Sequence, residues 1–307
     1  MGQASCCCSD NRADKQSDII TSHTGFQDKK QGQQNNSANG GYANGNGQKG
    51  DYHDIGHPML DIPQAGFVVP KEEIAKAALL QIMVVEGLAV DKNTLLKINA
   101  CGLIASKRNK SDGCTIIGSQ EANKNGEVLN DFVIPSTDVG IGKRHFIIKY
   151  NLDNKSYYLR DLGDGSGTFV RLDVPLILKH GYIISFGDSH MVVQFCDNKI
   201  DKTSKIQCKF LDGPKTDQTF TFSENSGIIR IGRMTNCDIK FDDSSLSRLQ
   251  CIIQYQDGHW ILSDGDGQKL STNGTWLFVD ELFKIYDNMI FKAGQTLFKA
   301  QLLPSQR

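Results

Sequence analysis

The sequence predicts an all-β protein, with two tandem β-sandwiches preceded by a disordered N-terminal tether and a short helix. Three observations carry this. From about residue 93 the chain consists of strand-length apolar runs separated by turn signals, without helical periodicity. Over that stretch it also repeats itself. His145-Phe146-Ile147-Ile148-Lys149-Tyr150 parallels Gln250-Cys251-Ile252-Ile253-Gln254-Tyr255. Gly167-Thr168-Phe169-Val170 parallels Gly274-Thr275-Trp276-Leu277, and Ile183-Ile184-Ser185-Phe186-Gly187 parallels Ile290-Phe291-Lys292-Ala293-Gly294. An offset this constant over three segments means duplication of a whole domain of about a hundred residues, the size of a β-sandwich. Third, the first sixty residues hold few of the apolar side chains that make up 39% of the chain, so the remainder can bury a core.

The N-terminal stretch, Met1-Gly2-Gln3-Ala4-Ser5-Cys6-Cys7-Cys8-Ser9, carries an acylation pattern. Removal of Met1 exposes Gly2, the acceptor for N-myristoylation. Cys6 stands where the usual signal has Ser or Thr. Cys6, Cys7 and Cys8 are acceptors for S-palmitoylation. One myristoyl chain binds a bilayer only marginally, so a second acyl group is the physical complement. A cytoplasmic protein held at the cytosolic face of a membrane is the expectation. Residues 10 to about 60 are rich in Gln, Asn, Gly and Ser and cannot bury enough surface to offset their ordering entropy.

The expected organisation is therefore a disordered tether with the acylation pattern over 1–60, and an extended segment with a short helix over 61–92. The sandwiches are expected at 93–196 and 206–303, separated by a polar linker near Asp197–Lys205. Pro58, Pro63 and Pro70 make the second segment extended. After Pro70, the run Lys71-Glu72-Glu73-Ile74-Ala75-Lys76-Ala77-Ala78-Leu79-Leu80-Gln81 has helical composition, with Glu in its first turn.

Polar groups cluster where the strands of the second copy end. They are Gly232-Arg233, Ser247-Arg248 and Ser271-Thr272-Asn273-Gly274-Thr275. Forked guanidinium donors beside Ser and Thr hydroxyls and an amide suit a phosphate. The three motifs, in this order and at this spacing, resemble those of the forkhead-associated (FHA) domain. The resemblance covers about residues 206–303 and, more weakly, 93–196. It implies an eleven-stranded β-sandwich that binds phosphothreonine peptides through loops at one end. By resemblance, Arg233 and Ser247 contact the phosphate, Arg248 adds a further contact, and Thr272 and Asn273 line the last loop, with Asn273 holding the peptide backbone. Gly232, Gln250 and Gly274 support the site. Gln250 replaces the family's histidine.

The first copy departs from the pattern. Ser119 replaces the arginine after Gly118, and Gly142 replaces the serine. Ser166 stands for the asparagine, while His145 is kept. This copy is expected to retain the fold without ordinary phosphothreonine binding.

Other chemistry finds little support. The net charge of -1 argues against bulk electrostatic binding to nucleic acid. Of the nine cysteines, the six beyond the N-terminal cluster lack CxxC spacing, so neither metal nor cofactor is expected. Most of the six read as small buried residues. No catalytic constellation stands out, and the chain reads as a non-enzyme. Gly163-Asp164-Gly165-Ser166-Gly167 and Asp264-Gly265-Asp266-Gly267 read as turns, not as nucleotide or calcium loops. The expected function is a membrane-tethered signalling adaptor whose partner is a phosphothreonine-containing protein. The alternative is a scaffold using both sandwiches independently of phosphorylation. Phosphatase treatment of the partner separates the two.

Overall fold

The computed structural model describes residues 66–196 and 203–305. The tether with Gly2, Cys6, Cys7 and Cys8 lies outside the described residues, as does most of the expected linker.

The first half begins with α1 (Glu72–Lys76). It continues through β1 (Leu79–Glu86), β2 (Leu95–Asn99), β3 (Gly102–Leu103), β4 (Cys114–Gly118), β5 (Phe132–Val133), β6 (Phe146–Asn151), β7 (Ser156–Asp161), β8 (Thr168–Arg171), β9 (Leu176–Ile177), β10 (Ile183–Phe186) and β11 (Ser189–Phe195). The second half supplies β12 (Lys205–Asp212), β13 (Thr219–Ser223), β14 (Ile229–Gly232), β15 (Ile239–Lys240), β16 (Cys251–Gln256), β17 (His259–Asp264), β18 (Trp276–Phe278), β19 (Phe283–Lys284), β20 (Ile290–Ala293) and β21 (Thr296–Leu303). The all-β expectation holds.

The helix is shorter than its composition suggests. Ala77 is already extended, and Leu79 opens a strand on which Leu80, Ile82 and Val84 are buried in alternation. A good helix composition loses here to pairing on both edges of β1, against β2 and β21. The strands of the first sandwich therefore begin at Leu79, inside the segment expected to precede it.

The larger correction concerns the sandwich boundaries. One 11-stranded sheet runs through both sandwiches in the order β13-β12-β11-β10-β18-β8-β20-β21-β1-β2-β3. β1 pairs with β21 at the far end of the chain, and β11 pairs with β12. The two copies have exchanged their C-terminal strands. β19 joins β7, and β9 joins β17, in two separate 5-stranded sheets.

The cores divide accordingly. The second core draws on Leu172, Ile184, Phe186, Met191 and Val193 together with Ile231, Phe241, Trp260 and Leu277. The first draws on Ile82, Phe146 and Val170, then on Val279, Phe291 and Phe298. The second sandwich is thus the continuous stretch from about Leu172 to Leu277, inserted into a first sandwich made of the residues on either side. The ranges 93–196 and 206–303 mark the repeats in sequence but do not bound the folded units. Loop closure explains the choice. β11 and β12 are sequence neighbours and close as a local hairpin, with Cys196 N–H donating to Lys205 O at 2.9 Å. The long closure of β1 on β21 adds little, because each doubling of loop length costs only about 0.6 kcal/mol.

The described cysteines are all free, and Cys114, Cys208 and Cys251 are buried. Cys101 and Cys237 are half-buried and Cys196 is exposed, so the expectation of burial holds for three of these six. Burial pushes the Cys114 and Cys208 thiols up to about 12.

The strand edge of the first sandwich depends on one buried cation. Arg108 forks onto Asp112, with Nη1–Oδ2 at 2.7 Å and Nη2–Oδ1 at 2.9 Å, and its Nε donates to Asp131 Oδ2 at 2.9 Å. Its side chain is only 4% exposed. Arg108→Met should destabilise the protein by about 3–5 kcal/mol, because two buried carboxylates lose their counter-ion. Thermal denaturation measures it; an unchanged melting temperature would show the cluster to be dispensable.

Candidate functional site

The site lies at one end of the second sandwich, where three loops leave its strands. Ile229, Ile231 and Gly232 of β14 are buried, and the chain then turns outward, leaving Arg233 exposed. Gly232 is required by proximity: a β-carbon there would lie 2.5 Å from Arg248 O. Arg233 N–H donates to Ser247 O at 3.3 Å, and Met234 N–H to Arg248 O at 3.1 Å. The first and second loops are therefore zipped together by backbone bonds.

The third loop joins through side chains. Thr272 N–H donates to Ser247 Oγ at 2.8 Å, and Ser247 Oγ lies 3.2 Å from Thr272 Oγ1. Asn273 Nδ2 donates to Ser245 O at 3.0 Å. Beneath, the buried Asp264 carboxylate accepts from Ser271 N–H at 2.8 Å, from Ser271 Oγ at 2.6 Å and from Thr275 Oγ1 at 2.6 Å. Asp264 thus works inside the fold and is not a surface cation ligand.

Gln250 explains itself here. It is fully buried. Its Oε1 accepts from Ser247 N–H at 3.1 Å, and its Nε2 donates to Ser271 Oγ at 2.9 Å and Gly274 O at 3.0 Å. In the first sandwich His145 makes the same pair of bridges. Its Nδ1 accepts from Gly142 N–H at 3.1 Å, and its Nε2 lies 3.2 Å from Gly167 O. A primary amide offers one acceptor and one donor much as a neutral imidazole does. Replacement of the family histidine by Gln250 therefore preserves the loop support.

All five sequence-predicted binding residues, Arg233, Ser247, Arg248, Thr272 and Asn273, line one open cavity of about 720 Å³. Lys269 and the apolar Met234, Leu249 and Leu270 line it too. Sequence reasoning missed Lys269 because it sits in the 264–269 turn, which carries no motif. Asp266 also lines the cavity, but backbone N–H groups of Gln268 and Lys269 bind its carboxylate and hold its pKa below the usual range. Arg233, Arg248 and Lys269 form no ion pair among the described residues. Three cations without counter-ions around hydroxyl and amide donors make an anion site.

The corresponding end of the first sandwich is built differently. Ser119 Oγ and Ser166 Oγ each donate to backbone carbonyls, of Gly142 and Gly140, at 3.1 Å. A β-carbon at Gly142, the counterpart of Ser247, would lie 2.5 Å from the Asp164 carboxyl carbon. The Asp164 carboxylate, which accepts from Arg144 N–H at 3.2 Å, thus takes the space a serine side chain would need at this position.

Comparison with known proteins agrees with the duplication. Residues 115–187 and 229–292 each match the sequence model of the FHA domain, a phosphopeptide-binding module. No curated protein matches the chain. The sequence of the domain is thus found twice, and the chain carries two segments similar to the FHA domain, with their loops gathered at one end of a β-sandwich.

Proposed function

We propose that this protein is a phosphothreonine-binding signalling adaptor, with the second sandwich as its reader. The observation that carries this is the convergence of Arg233, Arg248 and Lys269, unpaired, with Ser247 and Thr272 on one cavity. A phosphothreonine brings about -1.5 to -2 charges and three acceptor oxygens. In the assignment Arg233 and Ser247 hold the phosphate, Arg248 and Lys269 add charge, and Thr272 and Asn273 guide the peptide. Asn273 Nδ2 is engaged by Ser245, so its carbonyl oxygen is the atom left to accept from a peptide N–H. The first sandwich serves as scaffold.

Arg233→Ala removes a charge-assisted contact of about 1.5–3 kcal/mol, roughly a 10- to 150-fold loss of affinity. Starting from micromolar binding, retention on a phosphothreonine peptide library should vanish. Undiminished retention would refute the assignment.

Tethering to the cytosolic face of a membrane, through acyl groups on Gly2 and Cys6, Cys7 and Cys8, belongs to the same proposal. It would raise the effective concentration of a membrane-bound ligand. Gly2→Ala should release the protein into the soluble fraction.

A further inference from the structure

Strand exchange brings two cations of the first sandwich beside the phosphopeptide loop of the second. β18, which directly continues that loop, pairs with β8, and Trp276 stands opposite Arg171. Gly274 packs so closely on this arginine that a β-carbon would lie 2.8 Å from Arg171 Nε. That Nε is buried without a hydrogen-bond partner. On the next strand, β20, Lys292 stands opposite Phe169. Its ammonium lies 4.8 Å from the Trp276 ring centroid and 5.2 Å from that of Phe169. Trp276 in turn donates from Nε1 to Asn273 O at 3.0 Å. A continuous line of contacts therefore runs from Asn273 through Trp276 to Lys292, with Arg171 beside it at Gly274.

Neither cation has a counter-ion among the described residues. The carboxylate nearest Arg171 in sequence, Asp173, accepts from Tyr286 Oη at 2.6 Å. Desolvation of Lys292 lowers its pKa to about 8, a cost that an incoming carboxylate would relieve. The rings of Phe169 and Trp276 are the partners recorded for the Lys292 ammonium, and a cation on aromatic rings alone is held only weakly.

We propose that Arg171 and Lys292 extend the phosphopeptide site across the seam and select ligands with acidic residues flanking the phosphothreonine. The inference rests on the phosphothreonine reading above. It gives the degenerate copy a role: Arg171 comes from the first repeat and stands beside this loop because β8 pairs with β18. Arg171 and Lys292 here determine specificity, while Arg233 and Ser247 bind the phosphate.

The test uses the full chain and two alanine-based peptides carrying one phosphothreonine, flanked on both sides by glutamates or by glutamines. Fluorescence polarisation at low salt should show a preference of about tenfold for the acidic peptide, since charge-assisted contacts strengthen where water is excluded and weaken with salt. Arg171→Gln with Lys292→Met should bring the ratio of affinities close to one, and Arg171→Lys should keep most of the preference. If both affinities fall together in the double variant and the ratio stays, the residues are merely structural and the proposal is overturned. Equal wild-type affinities overturn it too. If neither peptide binds, and Arg233→Ala therefore has nothing to abolish, the phosphothreonine reading itself has failed.

Discussion

Residues 172–279 produced alone should fold and retain phosphothreonine-peptide binding, whereas residues 206–303, the second repeat as the sequence delimits it, should not form a native domain. The reason is where the core comes from. Every buried member of the second core lies between Leu172 and Leu277, and every proposed binding residue lies within the same stretch. A fragment starting at residue 206 would discard Leu172, Leu178, Ile184, Phe186, Met191 and Val193. Each fully buried side chain of this kind is worth about 1.5–3 kcal/mol, and their sum approaches or exceeds a typical domain stability of about 5–15 kcal/mol. The remedy open to that fragment is to recruit its own β20 and β21, which in the whole protein serve the first sandwich. Circular dichroism melts and peptide retention on both fragments decide the matter. Equal stability and binding of the 206–303 fragment would mean that the exchange is not needed for the site. The 172–279 fragment also lacks Arg171 and Lys292, so it should bind without preference for acidic flanks. Its β18 becomes an exposed edge, and some tendency to associate is expected.

Gln250→Leu should abolish peptide binding and cost about 2–5 kcal/mol of stability. The change strips partners from Ser247 N–H, Ser271 Oγ and Gly274 O at once. Ser271 Oγ keeps its bond to Asp264, but Ser247 N–H and Gly274 O lose this partner, and each buried group left unpaired costs about 1–3 kcal/mol. The loss is functional because these bonds tie the loop bearing Ser247 to the loop bearing Thr272 and Asn273. Gln250→His is the informative contrast. A neutral imidazole can make the bridges that His145 makes in the first sandwich. An imidazolium cannot accept from Ser247 N–H, so the folded state would favour the neutral ring and depress its pKa. The stabilisation is then present above the ordinary histidine pKa of about 6.5 and is lost as pH falls through the folded value. Binding by the Gln250→His variant should therefore match wild type at pH 8 and fall away near pH 5. The wild-type amide does not titrate, so its loop support should persist over that range. Titrations of both proteins with one phosphopeptide at the two pH values check this: protonation of the phosphate near pH 6 weakens binding to both, the variant should lose more, and an equal loss in the two proteins would contradict it.

Much of this protein is legible in its sequence. Strand-length apolar runs between turn residues state the fold class, since alternation of burial along β1, β7 and β12 is a period-2 pattern. The constant offset between copies states the duplication. Arg233, Ser247, Arg248, Thr272 and Asn273 are recognisable because loop-end polar groups must be encoded by particular residues at particular places, and the fold does bring them to one cavity. Gln250 is visible as an oddity, though its equivalence to His145 needs the hydrogen bonds to be seen. Lys269 has no signal at all: a lysine in a turn is ordinary until the turn is placed against the cavity.

Residues close together in the chain dictate the class of each element and the chemistry of each loop, so both are readable before folding. Which strand completes which sandwich was decided only in three dimensions. β10 and β20 are near copies, as Ile183-Ile184-Ser185-Phe186 and Ile290-Phe291-Lys292-Ala293 show, so local pattern cannot tell whether each closes its own copy or the other. The outcome turns on loop closure and on the added pairing of β8 with β18, both properties of the whole chain. The same long-range decision sets Arg171 and Lys292 beside Gly274 and Trp276, more than a hundred residues from Arg171 in sequence but adjacent in the sheet.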